Sequence, residues 1–215
     1  MNILICNDDG YQAAGIAALH EALHDLGRVE VVAPEHNNSA KSNALTLNAP
    51  LYVHQSPNGF RYINGTPADC VHIALTGLLD WRPDLVVSGI NNGANMGDDT
   101  IYSGTVGAAM EGYLMGIPAI AFSQTEKGWK NLDAAARKAR DLVDLIVRRN
   151  MLQGPAFLLN VNIPCLPAEL IKPLQVCRLG RRHSAESVTC APAAEAANDN
   201  TTNARISMAR PPHES

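Results

Sequence analysis

The chain has 215 residues, 46% hydrophobic and 18% charged, enough for one sizeable core or for one domain with an appendage. Its net charge of −4 offers no basic footprint for nucleic acid and argues against polyanionic partners unless a cation mediates. Five dispersed cysteines (Cys6, Cys70, Cys165, Cys177, Cys190) include no CxxC pair, which points to reduced thiols in a cytoplasmic protein rather than a disulfide framework. No apolar stretch is long enough to span a bilayer, and the first strand begins so early that no signal peptide is expected before it.

Ile3 to Cys6 is a short apolar run of the kind buried in a parallel sheet. Gly15 to Leu26 then carries Ile16, Leu19, Leu23 and Leu26 at helical spacing, and Val29 to Ala33 gives a second strand closed by Pro34. Strand, helix and strand within this span predict a right-handed βαβ unit. Between the first strand and the helix stands Asn7-Asp8-Asp9-Gly10. Ligands of open α/β sheets bind outside the carboxyl ends of the strands. Adjacent carboxylates repel, burial raises the cost of ionising both, and a hard divalent cation relieves the conflict. The plainer reading of the tetrapeptide is a turn leading into a helix cap.

Glu35 to Asn43 is polar and predicts a loop on the same edge as Asp8 and Asp9. Leu45-Thr46-Leu47, Leu51-Tyr52-Val53 and Phe60 to Ile63 alternate, with Pro57-Asn58-Gly59 as a turn, and predict short antiparallel strands inserted after the second parallel strand. Gly65-Thr66-Pro67-Ala68-Asp69 is a helix start, with Thr66 as N-cap, Pro67 at the first helical position and Asp69 complementing the dipole. That helix runs to Trp81, and Leu85 to Val87 is the third parallel strand.

Ser88 to Thr105 holds four glycines, three asparagines and two aspartates, and a loop that long inside a domain is usually functional. A small-residue helix over 106–115, a strand over 117–122, an amphipathic helix over 131–149 and a strand over 157–163 follow. The expected architecture is a Rossmann-like three-layer α/β sandwich, with a mostly parallel sheet and a small antiparallel β insertion, over residues 1–183. From Ser184 the composition turns to Ala, Asn, Thr, Ser and Pro, so 184–215 is expected to be a disordered tail.

Three loops from early strands thus offer carboxylates and neutral oxygens at one edge: Asp8 and Asp9, then Ser39, then Asn91, Asn92 and Asn95. This donor set suits Mg²⁺ or Mn²⁺. His36 is the only histidine in these loops, which disfavours zinc. Taken alone, Ser39 reads as a loop hydroxyl more readily than as a ligand, and Asn91 equally as a turn residue. Ser103-Gly104-Thr105 opens a helix, where backbone N–H groups and two hydroxyls suit an anion, or Ser103 is simply a cap. Beside a metal the combination suggests a phosphate. GxGxxG, the P-loop and GxSxG are absent. Asp98 and Asp99 read as structural or gating acids.

Asn7-Asp8-Asp9-Gly10, the Ser39 loop, Gly65 to Cys70, Ser88 to Asn91 and Gly97 to Thr105 together resemble the SurE family of stationary-phase survival proteins. The resemblance implies a metal-dependent phosphomonoesterase acting on nucleoside 5′- and 3′-monophosphates, with short polyphosphate as a further substrate. It implies one divalent cation held by Asp8, Asp9, Ser39 and Asn91, with phosphate contacts near Asn95, Ser103, Gly104 and Thr105. Asp8 or Asp9 is the candidate nucleophile or base, and the sequence leaves water attack and an aspartyl-phosphate both open. A homodimer or tetramer is implied as well, although the tail departs from the family's ordered C-terminal arm. Two rival readings remain: a nucleotide-binding module with little turnover, and an acyl hydrolase using Ser103.

Overall fold

The computed structural model describes residues 1–181, 189–191 and 205–207. They fall into two units, Met1–Gly180 and Arg181–Ser215. In the first unit the chain alternates strand and helix. β1 is Asn2–Cys6, α1 Ala14–Leu23, β2 Arg28–Pro34, β3 Val53–Gln55, β4 Arg61–Ile63 and α2 Pro67–Ile73. β5 is Leu85–Asn92, α3 Gly104–Leu114, β6 Ala119–Gln124, α4 Leu132–Arg148 and β7 Leu158–Ile163.

The sheet has seven strands in the order β3-β4-β2-β1-β5-β6-β7. Every neighbouring pair is parallel except β3 with β4. Period-2 alternation divides β1 between two cores. Ile3 and Ile5 face α1 and α4, where they join Ile16, Leu19, Leu23, Ala139, Val143 and Ile146. Leu4 and Cys6 face α2 and α3, with Cys70, Val71, Val106, Ala108 and Ala109. This is the expected three-layer sandwich. No helix among the described residues is long and apolar enough to cross a membrane. Cys6, Cys70, Cys165 and Cys177 are free thiols.

Several predicted elements differ, among them α2, which ends at Ile73 rather than running to Trp81. Leu45 to Leu47 forms no strand. Its backbone is claimed instead by the start of α2: Thr46 N–H donates to Asp69 Oδ1 at 2.8 Å, and the Thr66 hydroxyl donates to Ala44 O at 2.6 Å. Leu47 is left 85% exposed. The remaining hairpin does not stand apart as an insertion, because β4 pairs parallel with β2 and extends the main sheet. The third parallel strand also runs on to Asn92, beyond its expected end at Val87, with a register shift against β6 between Ser88 and Asn91.

The helix starts are as read. Thr66 caps α2, accepting from Asp69 N–H at 3.0 Å, while Asp69 Oδ2 accepts from Thr66 N–H at 2.8 Å. The small residues of α3 let it lie close to the sheet: a Cβ on Gly112 would come 2.7 Å from Val86 Cγ2. In the second unit β8, Thr189–Ala191, pairs antiparallel with β9, Arg205–Ser207. Apart from these two strands, the disorder expected from Ser184 concerns residues outside those described.

The chain leaves β1 toward β2 on one side and later returns to β5 on the other side. The strand order therefore reverses at β1, and the crevice for a ligand lies at the carboxyl ends of β1 and β5.

Candidate metal and phosphate site

Asp8 and Asp9 follow β1 directly. Asp8 is 4% exposed, and its Oδ1 accepts a short hydrogen bond from the Thr105 hydroxyl at the start of α3. Burial pushes the Asp8 carboxyl up to about 6; the Thr105 bond opposes this and the charge of Asp9 adds to it. Burial also raises Asp9, against the Asn92 N–H, the charge of Lys127 and the Asn37 amide. Asp9 Oδ2 accepts from Asn92 N–H and Oδ1 from Asn37 Nδ2, both at 3.1 Å. Beside them the buried Asn7 Oδ1 has no hydrogen-bond partner.

The loop after β2 folds back over this pair. Asn38 N–H donates to Asp8 O at 2.7 Å, and Ser39 N–H donates to Asn37 Oδ1 at 2.9 Å. Ser39 is thus one hydrogen bond removed from the amide that holds Asp9. Further along, the Ser42 hydroxyl donates to Ile101 O at 2.6 Å and its N–H to Tyr102 O at 3.1 Å. These bonds pin the loop to the 3₁₀ turn Gly97–Ile101, which contains Asp98 and Asp99.

Asn91 lies at the end of β5, its amide donating to Gly93 O at 2.8 Å. Because β5 continues to Asn92, both asparagines reach the edge on a strand rather than on a free loop. The strand extension therefore places the backbone N–H of Asn92 on Asp9.

The start of α3 closes the other side. Ser103 Oγ accepts from Val106 N–H at 3.1 Å, ordinary N-capping that engages the hydroxyl an acyl hydrolase would need. Gly104 meets Asp8 at close range: a Cβ there would come 2.8 Å from Asp8 Cβ and 3.1 Å from Asp8 Oδ2. Only a glycine lets the helix end approach the carboxylate this closely. The Thr105 side chain and its backbone N–H are both turned to Asp8, so an anion here would not meet the Thr105 hydroxyl.

Asn95 is 7% exposed and its amide is directed to Ser123 Oγ at 2.8 Å. Its backbone is held by β7: Asn162 Oδ1 accepts from Asn95 N–H at 2.9 Å, and Asn160 and Asn162 amides donate to Asn95 O at 2.8 and 3.0 Å.

Sequence reasoning missed Asn37, Lys127, Asn160 and Asn162. The last two carried a readable signal, since polar side chains two apart on a strand share one face. Among the described residues no group of three His, Cys, Asp or Glu is placed to hold a metal. A cation here would rest on two carboxylates supplemented by hydroxyl and amide oxygens. That donor set fits Mg²⁺ or Mn²⁺, and a cation would offset the strain of ionising the buried Asp8 beside Asp9.

A parallel sheet whose switch-point crevice holds paired carboxylates against a helix amino terminus defines an α/β protein of the ligand-binding Rossmann type. The sequence matches the family model described as "Survival protein SurE" over residues 3–186, and the chain belongs to this SurE family. It is 77% identical over 188 residues to the 5′-nucleotidase SurE of Variovorax paradoxus (strain S110), a match covering 87% of this chain and 75% of that one. It is 71% identical over 195 residues to the 5′-nucleotidase SurE of Polaromonas naphthalenivorans (strain CJ2), with the same coverage of 87% and 75%. The crystal structure of the SurE protein from Aquifex aeolicus superposes with a TM-score of 0.81 at 40% identity, covering 97% of this chain and 82% of that chain.

Proposed function

We propose that this chain is a metal-dependent 5′-nucleotidase that hydrolyses nucleoside monophosphates to nucleoside and phosphate, with 3′-monophosphates and short polyphosphate as further substrates. The observation that carries the proposal is the contact between Asp8 and the start of α3: the Thr105 hydroxyl donates to the carboxylate, and Gly104 clears the space beside it. A cation site and an anion site then adjoin across one van der Waals contact, which suits a phosphate monoester. The names of the close relatives point the same way.

In this reading Asp8, Asp9, Ser39 and Asn91 hold one Mg²⁺ or Mn²⁺. When bound, the cation supplies charge to polarise a phosphoryl oxygen and to lower the pKa of water. Thr105 fixes the Asp8 carboxylate, while the Asn92 N–H and the Asn37 amide fix Asp9 and leave it few alternative orientations. The start of α3, around Gly104, binds the phosphate oxygens, favoured by the helix dipole. Asn95, held by Asn160 and Asn162, borders that pocket. One of the two aspartates accepts a proton from the attacking water or attacks phosphorus itself.

The test is phosphate release from AMP and GMP with Mg²⁺ or Mn²⁺ and with EDTA. Turnover that vanishes on chelation and returns with the cation supports the reading. Turnover that persists under full chelation removes it, as does AMP binding without any phosphate release. Size-exclusion chromatography reads the homodimer or tetramer implied by the family resemblance.

A further inference from the structure

The segment between β6 and α4 is fastened to the candidate site at several points. Gly128 N–H donates to Asn92 Oδ1 at 2.9 Å, and Asn92 N–H in turn donates to Asp9 Oδ2. Gln124 Nε2 donates to Lys130 O at 2.6 Å. The Trp129 ring lies against Gly15, where a Cβ would come 2.7 Å from it. These anchors hold Lys127 beside the carboxyl end of β5. Its stem crosses Gly93, with Cε and Cγ at 3.5 and 3.7 Å from where a Cβ of that residue would stand. The side chain is exposed beside the end of the strand that carries Asn91 and Asn92.

Charge counting gives this lysine a task. Two carboxylates balance one divalent cation. A phosphate monoester dianion then adds two negative charges, against about half a positive charge from the start of α3. We propose that Lys127 binds the phosphate dianion of the substrate and makes the site select doubly charged monoesters over singly charged diesters. This inference rests on the nucleotidase reading and deepens it. The same charge repels a divalent cation at Asp8 and Asp9, so removing it affects the two ligands in opposite directions. A residue that only braced the loop would weaken both.

The experiment compares wild type with Lys127→Met and Lys127→Arg. It measures KM for AMP, affinity for inorganic phosphate in the presence of Mn²⁺, and affinity for Mn²⁺ alone by calorimetry. Lys138→Met, on the outer face of α4, controls for loss of a surface charge. Removing one charge at this range is expected to weaken phosphate and raise KM on the order of 10-fold, and to tighten Mn²⁺ several-fold. Lys127→Arg should restore most of the phosphate affinity, and Lys138→Met should change neither. The proposal is overturned if phosphate affinity and KM stay within twofold in Lys127→Met, or if Mn²⁺ and phosphate both weaken. If wild type hydrolyses no AMP yet binds phosphate through Lys127, the nucleotidase reading fails while Lys127 still binds the phosphate dianion.

Discussion

The amino ends of α2 and α3 each hold a buried aspartate, and the two carboxylates live differently. Asp69, at α2, is 3% exposed, and its oxygens accept from Thr66 N–H, Thr46 N–H and the Thr46 hydroxyl. Asp8, facing α3, is 4% exposed; Thr105 holds it through its hydroxyl, backbone N–H groups of Thr105 and of Asp8 itself also favour its charge, and Asp9 opposes it. Burial is therefore nearly equal, and what differs is the second carboxylate, Asp9, whose charge pushes Asp8 up. A carboxylate whose lone pairs are filled by its own chain serves the fold. One that is buried beside a second acid carries a charge conflict that a cation would relieve, and it is the one the proposed reading assigns to a ligand. The contrast extends to the helices: both are capped, α2 by Thr66 with Asp69 and α3 by Ser103, but α2 spends its aspartate on its own capping box, whereas α3 brings Gly104 and Thr105 against Asp8.

The largest expected effect breaks the ligand side. Asp9→Ala should lower AMP turnover at saturating Mg²⁺ by about 10³-fold or more, with a melting temperature close to that of wild type; turnover within tenfold of wild type would count against the assignment. Asp69→Ala is the mirror experiment. It leaves two N–H groups and a hydroxyl short of a partner, and should cost about 3 kcal/mol in chemical denaturation. Turnover per folded molecule should change only a few-fold.

Gly104→Ala probes the contact between the two halves of the site. The added methyl must displace Asp8 or the start of α3, so kcat/KM should fall about 10²-fold, read by steady-state kinetics on AMP. A pH titration of metal-free protein sharpens the comparison further. The folded-state pKa of Asp8 is raised from 3.8 to about 6, so the folded chain binds its proton more tightly than the unfolded chain does. That contribution is present at low pH and is lost as pH rises through about 6. Between pH 4 and pH 7 it amounts to about 2 kcal/mol. Denaturant melts in EDTA should show this slope, and saturating Mg²⁺ should flatten it. A melt in EDTA with the opposite slope would mean that other groups dominate.

Much of this was legible in the sequence because local signals agreed with the global pattern. Ile3 to Cys6 reads as a buried strand from its apolar run, and Thr66, Pro67 and Asp69 announce α2 by cap chemistry alone. Asp8 and Asp9 stand out as paired acids at a strand end. Other features depend on partners distant in sequence. Leu45 to Leu47 alternates like a strand, but the Asp69 and Thr66 side chains take its backbone. Ser88 to Asn92 reads as loop because it is polar and contains glycine, yet pairing with β6 carries it on as strand. Nothing local ties Thr105 to Asp8, Asn37 to Asp9 or Lys127 to the strand end; each contact exists only once the sheet order brings three loops to one edge.

The most direct measurement is a calorimetric titration of the metal-free full chain with Mn²⁺, run on wild type and on Asp9→Ala. The account predicts one Mn²⁺ per chain in wild type and loss of that binding in the variant, with both proteins folded by circular dichroism. Equal Mn²⁺ binding by the two proteins would contradict it.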